Sequence, residues 1–156
     1  MDVDGVISLF GFEDPYRDAP GSFHLIDGVA HCISDGAGKR LLRLADHYDL
    51  IWATGWEDRA NDYLPQLLGL PEELPYLTFD GNARFGSAHW KIDAIDGYAR
   101  KRPLAWIDDC IDDSCRSWAR KRKAPTLLVP VEPQRGIEEA QVEALISWAT
   151  SGFQPT

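Results

Sequence analysis

The chain has 156 residues, of which 44% are hydrophobic and 26% charged, and a formal net charge of −9 at pH 7. That size and balance suit one soluble globular domain with a real core, and the acidity disfavours sequence-independent nucleic-acid binding, which runs on positive charge. No apolar run reaches the ~18 residues of a membrane span, no signal peptide is recognisable, and three cysteines without a framework suit a reducing compartment; a cytoplasmic location is expected.

The first landmark in chain order is Asp2-Val3-Asp4-Gly5-Val6. In an extended segment, two carboxylates one residue apart share a face, and Gly5 then frees the backbone to turn. A short apolar run through Phe10 leads into a Pro-, Asp- and Gly-rich loop over residues 13–21. Asp27-Gly28, between the β-prone runs Phe23-His24-Leu25-Ile26 and Val29-Ala30-His31-Cys32-Ile33, predicts a two-residue hairpin. Ser34 or Asp35 is expected to start a helix that buries Leu41, Leu42, Leu44, Ala45 and Tyr48.

Leu50-Ile51-Trp52-Ala53 reads as a buried parallel strand ending at Thr54-Gly55. The next helix carries Glu57 and Asp58 in its first turn, and Pro65 and Gly69 are expected to break it. Tyr76-Leu77-Thr78-Phe79 is a candidate strand closed by Asp80-Gly81-Asn82. Ser87 can cap a helix with Trp90, Ile95, Tyr98 and Ala99 facing inward. Lys91 falls in its first turn, against the helix dipole, a local conflict of the kind functional sites show.

Leu104-Ala105-Trp106-Ile107 feeds directly into Asp108-Asp109-Cys110-Ile111-Asp112-Asp113. Four carboxylates in six residues repel one another unless they are solvated or hold a cation, and hard oxygen ligands on a loop after a strand suit magnesium. Cys110 and Cys115 lack a second pair to complete a zinc set, and His24, His31, His47 and His89 are too scattered to ligate a metal. A helix through Trp118, a strand Thr126-Leu127-Leu128-Val129 and a last helix from near Gly136 complete the chain; Ile137, Val142, Leu145, Ile146 and Ala149 line that helix's inner face. The basic run Arg116, Arg120, Lys121, Arg122, Lys123 reads as a solvated helix end.

Strands alternating with helices predict an α/β fold, a Rossmann-like parallel sheet with helices on both faces. Ligands in such folds gather beyond the carboxyl ends of the strands. Asp2 and Asp4, Thr54, and Asp108 and Asp109 all fall at such ends.

These residues, taken together, resemble the haloacid dehalogenase (HAD) superfamily. The D-V-D-G-V turn, the strand ending at Thr54 in W-A-T-G-W, Lys91, and W-I-D-D occur in the family's order between Asp2 and Asp113. The wording also resembles a bacterial subgroup, HAD domains associated with RNA-repair proteins. The resemblance implies one HAD-like domain over residues 1–156, a Mg²⁺ cofactor and a phosphorylated substrate. Asp2 would be the nucleophile that forms an aspartyl-phosphate. Asp4 would be the general acid and base. Thr54, Gly55 and Lys91 would hold the phosphoryl group. Asp2, Asp4 through its carbonyl, Asp108 and Asp109 would hold Mg²⁺, with Asp112 or Asp113 as further candidates.

The chain departs from the family at two points. Only Met1 precedes Asp2, where members carry an apolar strand, so a loosely held Asp2 is expected. There is also no room for a large cap domain, which leaves the hairpin near residues 23–33 as a small flap over an open site. The expected activity is a Mg²⁺-dependent phosphatase. The alternatives are end-processing of nucleic acid, suggested by the subgroup resemblance and the basic run and disfavoured by the acidity, and a non-catalytic binding module. An open site or sheet edge would suit a second copy of the chain.

Overall fold

The computed structural model describes residues 1–79 and 86–153. Its regular elements are β1 (Ser8–Leu9), α1 (Pro15–Asp18), β2 (Gly21–Ile26), β3 (Val29–Ser34), α2 (Ala37–Ala45), α3 (Ala60–Leu68), α4 (Ile92–Ala99), β4 (Leu104–Asp108), α5 (Asp113–Lys121), β5 (Thr126–Pro130) and α6 (Glu139–Thr150). Short 3-10 turns, Glu57–Arg59 and His89–Lys91, lead into α3 and α4. Among the described residues, no helix is long and apolar enough to cross a membrane.

The architecture is α/β. β4 and β5 pair in parallel, from Leu104↔Thr126 to Asp108↔Pro130. Backbone hydrogen bonds continue this row beyond β4. The Asp2 N–H donates to the Ile107 carbonyl at 2.9 Å. On the other side, the Met1 amine donates to the Ile51 carbonyl at 2.8 Å, and the Met1 carbonyl accepts from the Ala53 N–H at 2.7 Å. Bonds to the residues just before and just after Trp52 form the parallel ladder pattern. Trp52 in turn bonds Pro75 and Leu77, making a parallel bridge to Tyr76. The order across the row is therefore Tyr76, Trp52, Met1 with Asp2, β4, β5. Asp2, expected to be loosely held, is fixed from both sides.

Strand alternation sends side chains to the two faces of this row. Ala105, Ile107, Leu127 and Val129 pack with Leu41 and Leu44 of α2, Leu64 of α3 and Leu145 of α6. Trp106 and Leu128 pack instead with Ile92 and Ile95 of α4 and with Cys115 and Trp118 of α5. Helices thus cover both faces, and each fully buried leucine contributes roughly 1.5–3 kcal/mol.

The remaining sheet is antiparallel, in the order β1-β3-β2. Its hairpin turns at Asp27 and Gly28, with φ values of 50° and 82°, as the Asp-Gly pair predicts. The register Ile26↔Val29 and His24↔His31 puts these four side chains on one face.

Several sequence expectations shift in detail. Ser34 still pairs with Gly21 in β3, so α2 begins at Ala37 after Gly36, and Leu42 and Ala45 face outward. Pro65 sits inside α3 without ending it; burial of Leu64 and Leu68 outweighs one lost backbone bond, and the helix stops at Gly69 with φ 66°. The inner face of α4 is Ile92, Ile95 and Ala99, with Tyr98 exposed. The capping box of Glu138 and Gln141 starts α6 later than Gly136. Within residues 76–79, only Tyr76 makes a strand bridge, and the turn expected at Asp80, Gly81 and Asn82 lies outside the described residues.

Candidate active site

Lys91 is only 3% exposed and touches two carboxylates. Its Nζ lies 2.5 Å from Asp2 Oδ2 and 2.7 Å from Asp108 Oδ2. The pairing of Asp2 with Ile107 sets Asp2 beside Asp108, at the carboxyl ends of neighbouring segments. Lys91 enters from the 3-10 turn before α4. That turn is tied to the acidic loop by the Ala88 N–H, which donates to the Cys110 carbonyl at 3.0 Å. The remaining lone pairs are used locally: Asp2 Oδ1 accepts from the Val3 N–H at 2.8 Å, and Asp108 accepts from the Cys110 N–H at 2.9 Å and from Trp106 Nε1–H at 3.2 Å.

Burial pushes the Asp2 carboxyl up to about 6; Lys91 pulls it down and Asp108 adds to the rise. Burial also disfavours the Lys91 charge, but Asp2 and Asp108 outweigh it and hold the ammonium above the ordinary lysine range. Lys91 is therefore the fixed positive charge of a water-poor site rather than a surface lysine.

After Val3 the chain leaves the row and coils. The N–H groups of Val6, Ile7 and Ser8 all donate to the Val3 carbonyl, and the Gly5 N–H donates to the Ser8 carbonyl at 2.8 Å. Gly5 has φ 71°, and a Cβ there would lie 2.5 Å from Asp109 Cγ, so only glycine lets the Asp109 carboxyl pack against this turn. Asp4 is exposed on the turn, and its Oδ2 accepts from Trp56 Nε1–H at 2.9 Å. The Trp56 N–H donates to Thr54 Oγ1 at 3.3 Å, which links Asp4 to the fully buried Thr54. Met1 lies opposite Trp52 in the parallel ladder, so Thr54 comes one residue further along its segment than Asp2 does on the neighbouring one. A Cβ at Gly55 would lie 4.0 Å from the Trp90 ring, which packs beside Lys91.

The structure thus brings Asp2, Lys91 and Asp108 into direct contact, links Asp4 with Thr54, and sets Asp109 against the Gly5 turn. Asp112 is otherwise engaged. It caps α5 by accepting from the Ser114 and Cys115 N–H groups at 2.9 and 3.0 Å, and it accepts from Ser87 Oγ at 2.6 Å. These neutral donors, led by the Ser114 hydroxyl, hold its carboxyl well below the usual range. Asp113, also a ligand candidate, is exposed at the start of α5.

The donor set suits a hard divalent cation. Ligand atoms of Asp108, Asp109 and Cys110 lie within 4.8 Å of one another. Burial pushes the Cys110 thiol up to about 12, and as a neutral thiol it is a poor ligand, which leaves carboxylate oxygens. Burial also raises the half-buried Asp109 carboxyl.

Three supporting contacts were not read from the sequence, although Ser87 was expected as a helix cap and Trp56 and Trp106 stand in the quoted motifs. Trp56 holds Asp4, Trp106 holds Asp108, and Ser87 joins its turn to Asp112. The period of two in β4 places Trp106 and Asp108 on one face, so that contact had a signal. The basic run is split: the Arg122 side chain is 4% exposed and paired with Asp96, whereas Arg116 and Arg120 are exposed. Comparison of the chain with protein-family models, curated proteins and solved structures gave no match.

Proposed function

We propose that this protein is a Mg²⁺-dependent phosphohydrolase of the HAD type that acts through an aspartyl-phosphate on Asp2. The observation that carries this is the buried Lys91 ammonium, held between Asp2 and Asp108 at the carboxyl ends of adjacent segments. The row order around Asp2 and the helices on both faces support the Rossmann-like description. A binding module with no catalysis would be favoured by an Asp2 carboxylate remote from Asp108; here the two share one lysine.

Asp2 Oδ1 is oriented by the Val3 N–H, and the carboxylate attacks phosphorus. Lys91 balances charge on the phosphoryl oxygens, and the Thr54 hydroxyl donates to one of them. Asp4, steered by the Trp56 indole, protonates the leaving oxygen and then takes a proton from the water that attacks the phospho-aspartate. Asp2, Asp108, Asp109 and the Asp4 carbonyl would hold Mg²⁺, which neutralises phosphate charge so that an anionic nucleophile can approach.

The test is hydrolysis of p-nitrophenyl phosphate with Mg²⁺ or with EDTA, by the wild type and by Asp2→Asn. Expected is Mg²⁺-dependent turnover that falls at least about 1,000-fold in the variant. Turnover that survives Asp2→Asn, or that ignores EDTA, overturns the proposal.

A further inference from the structure

The hairpin and the loop after Thr54 border a half-open cleft of about 220 Å³. Its walls are Ile26, Val29 and His31 from the hairpin and Gly55, Trp56 and Arg59 from the loop. Gly55 and Trp56 directly follow Thr54, and the Trp56 indole holds Asp4. The cleft is therefore joined through the Trp56 side chain to the residue assigned to protonate the leaving oxygen, on whose side the alcohol part of a substrate would lie.

Its chemistry favours a flat ring. The His31 and Trp56 rings meet edge to face, 4.8 Å apart at 70°, and Ile26 and Val29, on the same hairpin face as His31, supply apolar surface beside it. An apolar cavity of about 150 Å³ takes up benzene, so this cleft has room for a single ring with its linking atom. The walls are also fixed in advance. Asp27 at the hairpin tip pairs with Arg59 and accepts from the Tyr63 hydroxyl at 2.8 Å, and the His31 ring is hydrogen-bonded to Ser8 Oγ at 2.9 Å.

We infer that this cleft receives the leaving group, and that the preferred substrates are phosphate monoesters whose alcohol carries a single flat ring. The inference rests on the phosphohydrolase proposed above and adds its substrate class. An aryl alcohol and a pyrimidine nucleoside both carry such a ring, and the test separates them.

Val29 is 57% exposed beside the hairpin turn, so Val29→Trp fills the cleft without disturbing the core. The assay compares wild type and variant with Mg²⁺ on benzyl phosphate, uridine 5′-monophosphate and glycerol 3-phosphate. Taking the ratio of variant to wild type within each substrate cancels leaving-group reactivity. Expected is a loss of about tenfold in kcat/KM on benzyl phosphate, mostly in KM, and less than about twofold on glycerol 3-phosphate, which also reports an intact fold. A matching loss on uridine 5′-monophosphate assigns the ring to a nucleobase; its absence assigns it to an aryl alcohol. Equal effects on benzyl and glycerol phosphates, or no effect on benzyl phosphate, overturn the inference alone. No Mg²⁺-dependent turnover of any ester by the wild type overturns the phosphohydrolase proposal, and this inference with it.

Discussion

Asp108 and Asp112 are four positions apart on one loop, and both accept several hydrogen bonds, yet they do opposite work. Asp108 is fully buried and faces an ammonium. Asp112 faces only neutral donors, the N–H groups and hydroxyls that start α5 and anchor Ser87. The first arrangement concentrates charge where water is scarce, and Asp2 shares that strain, its carboxyl pushed up to about 6. The second relaxes charge at the surface and fixes the loop. A run of acids is therefore not one site: the strand end makes a charged centre, and the helix start makes its scaffold.

The sharpest way to break this contrast is at Lys91. Lys91→Met leaves Asp2 and Asp108 as buried neighbours without a counter-charge, and breaking such a pair costs about 3–5 kcal/mol. Turnover should fall about 100- to 1,000-fold as well. Denaturant unfolding and kcat/KM measured together check this, and a variant with unchanged stability would deny the buried pair.

The pH dependence sharpens the same half. The Asp2 carboxyl has its folded value near 6, above the unfolded 3.8, so its share of stability is full below the unfolded value and is lost as pH rises through about 6. The proposed Mg²⁺ binding would need the ionised carboxylate. Its affinity should climb up to about tenfold per pH unit below 6 and flatten above it. Calorimetric titration of Mg²⁺ at three pH values across this range checks it, and a flat affinity removes Asp2 from the ligands.

The sequence revealed what depends on chemistry at fixed spacing. Asp27-Gly28 marked the hairpin because few residues accept two positive φ values, and Lys91 stood out by opposing a helix dipole. It concealed what depends on partners far along the chain. The local contacts of Asp108 and Asp112 do not decide their charge balance; Lys91, 17 residues from Asp108, and Ser87, 25 residues from Asp112, complete the difference. The hold on Asp2 was hidden for the same reason, since its neighbours on either side come from residues 51–53 and 107. The role of Trp56, quoted only as part of W-A-T-G-W, needs the Gly5 turn to bring Asp4 within reach.

Asp112→Ala tests the other half. Losing the cap should cost about 1–2 kcal/mol of stability and leave Mg²⁺ affinity unchanged, because the proposed ligands Asp108 and Asp109 precede it. Thermal unfolding and Mg²⁺ titration of the same sample decide the matter. A tenfold weaker Mg²⁺ affinity would make Asp112 a ligand and erase the distinction between the two carboxylates.

The smallest effect belongs to Trp56→Phe, which keeps a ring against His31 but removes the indole N–H from Asp4. One hydrogen bond of about 1 kcal/mol corresponds to a loss of roughly fivefold in kcat. The loss should depend on the leaving group. Benzyl phosphate must be protonated as it departs, whereas p-nitrophenolate leaves readily unprotonated, so the variant should slow the first ester and spare the second. Equal slowing of both would mean that Trp56 shapes the pocket wall without steering the proton on Asp4.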